Sequence, residues 1–115
     1  MDCDILYKKG DFMNLNQLHY FVKLADTEHY TKAAEELNIS QPSLSHAISM
    51  LENELGTKLF EKRGRNIVLT RYGNLFREYA EQSLKILDTG VRKVRSLNGQ
   101  TEGVIELAYI LSLIH

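Results

Sequence analysis

Residues 30–62 read YTKAAEELNISQPSLSHAISMLENELGTKLFEK, and this stretch decides the fold. It holds two helices with almost no chain between them. Thr31 is a good N-cap for the first, with Tyr30 just before it to staple the first turn and Ala33, Ala34 and Leu37 on one face. Asn38 ends that helix, because asparagine tolerates the left-handed conformation after a last turn. Ser40 or Gln41 caps the second helix, and Pro42 sits in its first turn, where a missing N–H costs nothing. Leu44, Ile48, Leu51 and Leu55 form its buried face, and Gly56 stops it. The outward face carries Ser43, Ser45, His46, Ser49 and Asn53, with no Lys, Arg, Asp or Glu between Pro42 and Met50. A solvated helix face usually carries Lys and Glu. Short hydrogen-bonding side chains instead suit insertion into a major groove, where Ser and His meet base edges. The N–H groups at the helix start suit a phosphate.

Upstream, Leu18, Phe21, Val22 and Ala25 fall at i, i+3, i+4 and i+7, a helical stripe capped by Asn14 or Asn16. Asp26 to His29 reads as a short connection. Downstream, Leu59-Phe60 and Ile67-Val68-Leu69 flank Glu61-Lys62-Arg63-Gly64-Arg65-Asn66, a β-hairpin with a basic tip and Gly at its turn. Glu52 and Glu54 then belong to a solvated or wing-facing side, since carboxylates repel phosphates. Thr70 caps a long helix from about Arg71 to Leu97, roughly 40 Å at 1.5 Å per residue. Along it Phe76, Ala80, Ser83, Leu87, Gly90, Val94 and Leu97 alternate spacings of four and three, flanked by Tyr72, Tyr79, Leu84 and Val91. Such a heptad seam asks for a second helix to cover it. The expected fold is mainly α: a winged helix-turn-helix with a small β-hairpin wing, then a long dimerisation helix.

The chain has 115 residues, 14 Lys+Arg and 15 Asp+Glu, a net charge of −1 that taken whole argues against a nucleic-acid partner. The distribution argues the other way. Lys58, Lys62, Arg63, Arg65, Arg71 and Arg77 lie against Glu61 alone, and local charge outweighs the total because salt screens beyond roughly 8–10 Å. One cysteine, Cys3, excludes a disulfide framework and any Cys-based zinc or iron–sulfur cage, so neither a metal nor another cofactor is expected. No run of eighteen apolar residues and no signal-peptide order at the start point to a cytoplasmic protein without a membrane span. Ser, His and Asp are present, but no nucleophile–base–orienter set, Gly-rich phosphate loop or HExxH pair is recognisable, so no catalytic residue and no enzymatic role are expected.

The run from Tyr30 to Lys62, with Arg63-Gly64-Arg65 and Leu69-Thr70 beyond it, closely resembles the DNA-binding region of LysR-type transcriptional regulators. The alanine pair, the Ser-Gln-Pro-Ser turn, the Leu-Glu-x-Glu-Leu-Gly helix end and the Leu-Phe-Glu wing occur in order, and the match covers about Met13 to Leu97. The resemblance implies a sequence-specific transcription regulator that binds inverted-repeat promoter DNA as a homodimer or higher homo-oligomer. It implies that Thr31 and Lys32 hold phosphates. Ser40, Gln41, Pro42 and Ser43 then form the turn that meets backbone and bases, and Ser45, His46 and Ser49 face the groove. Arg63 and Arg65 reach toward the minor groove. Many family members carry Arg where this chain has His46, which changes the base preferred there. In the family the long helix pairs two subunits, which assigns Phe76, Ala80, Ser83, Leu87, Val91 and Val94 to dimerisation. A small-molecule effector is implied for full-length members, whose effector domain follows that helix.

The resulting division is a leader over 1–12, a DNA-binding domain over 13–70, a dimerisation helix over 71–98, and a hinge with the first strand of an effector domain over 99–115. Lys9-Gly10-Asp11 can be encoded by a ribosome-binding sequence, which makes Met13 the expected natural start. Val104 to Ile110 reads as a strand with no partner after it, so the chain is expected to be a fragment, a truncated product or a frame-shifted reading.

Overall fold

The computed structural model describes residues 13–99. The leader expected over 1–12 and the strand expected over Val104 to Ile110 lie outside the described residues. The elements are α1 (Leu15–Thr27), α2 (Tyr30–Leu37), α3 (Gln41–Leu55), β1 (Phe60–Arg63), β2 (Asn66–Leu69) and α4 (Arg71–Leu97). This is the expected winged helix-turn-helix followed by a long helix. The chain divides into two compact units between Glu81 and Gln82, within α4.

The helix ends follow from local chemistry. Asn14 caps α1 in a reciprocal box: its side chain accepts from Gln17 N–H at 2.9 Å, and Gln17 Oε1 accepts from Asn14 N–H at 3.0 Å. α1 runs on through Thr27, so the connection expected over Asp26 to His29 shrinks to Glu28 and His29, with Glu28 left-handed at φ 55°. The start of α2 differs from expectation. His29, not Thr31, is the N-cap, its Nδ1 accepting from Lys32 N–H at 3.2 Å, and Tyr30 is the first helical residue, not a staple before the cap. An imidazole nitrogen lone pair serves that orphan amide as a hydroxyl would. Asn38 (φ 58°) and Gly56 (φ 76°) take the expected left-handed positions after α2 and α3.

The core of the first unit is built on α1, α2 and α3. Phe21, Leu24, Ala33, Leu44 and Leu51 are fully buried. The Phe21 ring packs against Phe60 at 5.5 Å and Phe76 at 5.3 Å, both tilted, so it joins α1 to the base of the wing and to the first turns of α4. β1 and β2 pair antiparallel, Phe60 opposite Leu69 and Arg63 opposite Asn66. Gly64 (φ 60°) takes the first of two loop positions, where a tight hairpin favours glycine.

Thr70 joins wing to α4 and caps it as expected. Its hydroxyl accepts from Gly73 N–H at 3.1 Å and donates to the Lys58 carbonyl at 2.7 Å, while its own N–H donates to the Leu59 carbonyl at 2.9 Å. Gly73 lies so close to the segment before β1 that a Cβ there would stand 2.2 Å from the Leu59 oxygen.

Candidate nucleic-acid interface

All eleven residues assigned to DNA contact, Thr31, Lys32, Ser40, Gln41, Pro42, Ser43, Ser45, His46, Ser49, Arg63 and Arg65, are exposed. Their backbones are fixed from below. Leu44, Ile48 and Leu51 anchor α3 in the core, and the residues between them emerge on its outer face. At the start of α3, Ser40 Oγ accepts from Ser43 N–H at 3.2 Å and donates to Ser43 Oγ at 2.8 Å. Because His29 caps α2, the Thr31 hydroxyl is left to donate to Gln41 Oε1 at 3.1 Å, which links the first turns of α2 and α3.

The wing closes one side of this surface. Ile67 N–H donates to the Glu28 carbonyl at 3.3 Å, tying β2 to the α1–α2 turn. An open cleft of about 350 Å³ results, lined among others by Thr31, Gln41, Lys62 and Arg65. Three of the expected residues, from three separate elements, meet there. Lys62, part of the basic run but not singled out within it, joins them. Ser45, His46 and Ser49 lie on the exposed face of α3 and do not line the cleft.

The basic run divides by use. Arg77 is held by Asp26 and Glu81, and Lys58 stands 3.6 Å from Glu52. Lys62, Arg63 and Arg65 make no ion pair with any described residue, so their charge is available to a polyanion. Glu52 is the reverse of a solvated carboxylate. It is 8 % exposed, and the wing-facing half of the expectation is what the structure shows, with Oε2 accepting from Leu59 N–H at 2.7 Å.

The dimerisation set also divides. Ala80, expected on the seam, is turned into the core at 2 % exposure, while Phe76, also expected there, is half-buried, with one side of its ring tilted against Phe21 and part of it left at the surface. The domain core competes for the same helix face, and it takes Ala80 whole and Phe76 in part. In the first unit the exposed apolar residues of α4 are Tyr72, Leu75 and Tyr79, beside a shallow apolar depression that Leu55, Thr57, Leu59 and Phe76 complete. In the second unit Ser83, Leu87, Val91 and Val94 are exposed, as are Ile86 and Leu97. No described helix is long and apolar enough to cross a membrane. No group of three His, Cys, Asp or Glu among the described residues is placed to hold a metal.

A family model described as bacterial regulatory helix-turn-helix protein, lysR family, matches residues 15–74. The chain is similar to HTH-type transcriptional regulator BudR of Klebsiella aerogenes, 44 % identical over 85 residues, which cover 74 % of this chain and 59 % of that protein. It is similar to YybE of Bacillus subtilis (strain 168), an uncharacterized HTH-type transcriptional regulator, 40 % identical over 101 residues covering 88 % of this chain and 35 % of that one. Among solved structures it is similar to the BenM DNA-binding domain in complex with benA site 1 DNA, with a TM-score of 0.71 and 39 % identity over 74 % of this chain and 99 % of that one. The chain thus spans between about a third and three fifths of the length of these two curated relatives. With the wing, the turn and the long helix in place, the chain belongs to the lysR family of bacterial regulatory helix-turn-helix proteins.

Proposed function

We propose that this chain is the DNA-binding and dimerisation part of a cytoplasmic transcription regulator, binding inverted-repeat promoter DNA as a dimer, and that it is not an enzyme. The observation that carries this reading is the pairing of two unlike surfaces. α3 presents an uncharged face of Ser43, Ser45, His46 and Ser49, and beside it the wing holds Lys62, Arg63 and Arg65 without an ion-pair partner among the described residues. A charged α3 face would be repelled or trapped at the phosphates. A neutral one can enter the major groove while the cations and the starts of α2 and α3 hold the backbone on either side. Thr31, Lys32 and the Ser40–Ser43 turn then position, Ser45, His46 and Ser49 read bases, and Arg63 and Arg65 bind phosphate or a narrow minor groove. His46 in place of the arginine common in the family presents fewer donors to a base edge. The solved complex of the BenM DNA-binding domain with DNA supports the same use of this fold here.

Two copies are needed because an inverted repeat offers two equivalent half-sites. Ser83, Leu87, Val91 and Val94 form the pairing face, extended by Tyr72 and Tyr79. Footprinting of the purified chain on the DNA upstream of its own gene tests the reading. A bounded footprint with two-fold symmetric edges is expected. Mixed dimers with a full-length relative and no footprint would instead make the chain an interaction protein.

A further inference from the structure

Glu52 is the one acidic residue that is buried as a whole among the described residues. Its one cationic partner among the described residues, the Lys58 ammonium 3.6 Å from Oε1, sits on a side chain that is 79 % exposed. What Glu52 does is gather amides. Its backbone carbonyl accepts from Gly56 N–H at 2.8 Å and Thr57 N–H at 3.2 Å. Its Oε2 accepts from Leu59 N–H at 2.7 Å and Phe60 N–H at 3.4 Å. One residue of α3 thus takes up four amides of the turn that leads into the wing. In the segment just before β1, the Leu59 and Lys58 carbonyls are held by Thr70 at the start of α4.

A buried carboxylate is a costly filler, since desolvating it is unfavourable unless its oxygens are used. Here two consecutive amides at the mouth of a two-stranded hairpin need an acceptor, and the Glu52 side chain from α3 reaches both. Arg63 follows Phe60 by three residues and Arg65 by five, with the short β1 strand between. The course the chain takes from the end of α3 through Leu59 and Phe60 therefore bears on where the wing cations stand relative to the α3 face.

We infer that Glu52 is a positioning residue for DNA binding: it locks the wing to the recognition helix, so that Arg63 and Arg65 reach phosphate while α3 occupies the groove. The inference rests on the proposed DNA-facing role of the wing. It predicts an order set by reach rather than charge. Glu52→Gln keeps an oxygen at the same distance and should bind as the parent does. Glu52→Asp keeps the charge but falls one methylene short, and Glu52→Ala has no acceptor.

The test is a double-mutant cycle with Arg65→Ala in the full chain. The probe is a random-sequence duplex, titrated at several salt concentrations with variants whose far-UV circular dichroism matches the parent's. In the parent and in Glu52→Gln, Arg65→Ala should lower the salt slope by about one, as loss of one phosphate contact requires. In Glu52→Asp and Glu52→Ala the same change should lower it by less than half as much, because the wing no longer delivers the contact. Should Glu52→Ala fail to fold, the Asp and Gln pair carries the comparison alone. A full Arg65→Ala effect in the Asp background, or a Gln variant that behaves like Asp, overturns the positioning role while leaving the wing's DNA contact intact. No Arg65→Ala effect in the parent overturns the wing contact itself, and the positioning role with it.

Discussion

Gly73→Ala should destabilise this protein although it replaces glycine by the best helix former inside a helix. Propensity alone favours alanine by about 1 kcal/mol. Against that, the new Cβ would stand 2.2 Å from the Leu59 carbonyl oxygen and 2.8 Å from Leu69 Cδ2, where ordinary contact begins at 3.4 Å. The first of these neighbours is backbone, held by Thr70 N–H at 2.9 Å, and cannot rotate away. Relief requires the start of α4 to lift by about 1.2 Å, the difference between the 2.2 Å and 3.4 Å separations. That stretches the Thr70 N–H bond to Leu59 and the Thr70 hydroxyl bond to Lys58, each contributing about 1 kcal/mol, and loosens packing by about as much again. The net loss is about 2 kcal/mol, or a melting temperature lower by about 8–16 °C for a domain of this size. Gly90 in the same helix is the control, since a Cβ there meets nothing within 4 Å of its own protomer. Gly90→Ala should stabilise by about 0.5–1 kcal/mol. Thermal and urea unfolding at one fixed protein concentration would measure both. A Gly73→Ala protein as stable as Gly90→Ala would refute the close approach of α4 to the wing base.

Removing the cap of α2 by His29→Ala should cost about 0.5–2 kcal/mol in urea unfolding, with His29→Asn restoring most of it, while Thr31→Ala should leave stability within about 0.5 kcal/mol. Burial, and secondarily the Glu52 carboxylate, push the Tyr30 phenol above its ordinary value of 10.0. The folded state therefore holds that proton more tightly than the unfolded chain does. The stability it lends is complete below pH 10 and lost as pH rises through the folded value, so the difference in stability between parent and Tyr30→Phe should shift against the parent above about pH 10 in alkaline denaturation. Leu87→Asp places a charge on the exposed face of α4 proposed for pairing, and sedimentation should show the chain moving toward monomer. An unchanged dimer would move the interface elsewhere on the helix.

Much of this protein is legible from residues that act locally. Asn14, Asn38, Gly56 and Thr70 close helices by chemistry confined to a turn, so one chain position decides each, and all four end or begin helices as expected. The same holds for the α3 face, because a 3.6-residue period turns Leu44, Ile48 and Leu51 inward and leaves the serines and His46 out. The α2 cap was not legible, because histidine and threonine both offer an acceptor and the choice depends on where α1 ends. The seam along α4 divides for a related reason: Ala80 is buried and Phe76 is half-buried, while the later positions are exposed. A heptad count cannot tell an apolar residue that waits for a second copy from one already taken by Phe21, fifty-five positions earlier in the chain. Glu52 shows the limit most plainly. By itself the sequence determined a winged helix-turn-helix with a basic hairpin and a neutral recognition face, since periodicity, caps and charge runs are short-range. Only the tertiary structure decided which carboxylate is buried, which arginines stay unpaired and which face of α4 is free, because each depends on what a distant segment brings within a few ångströms.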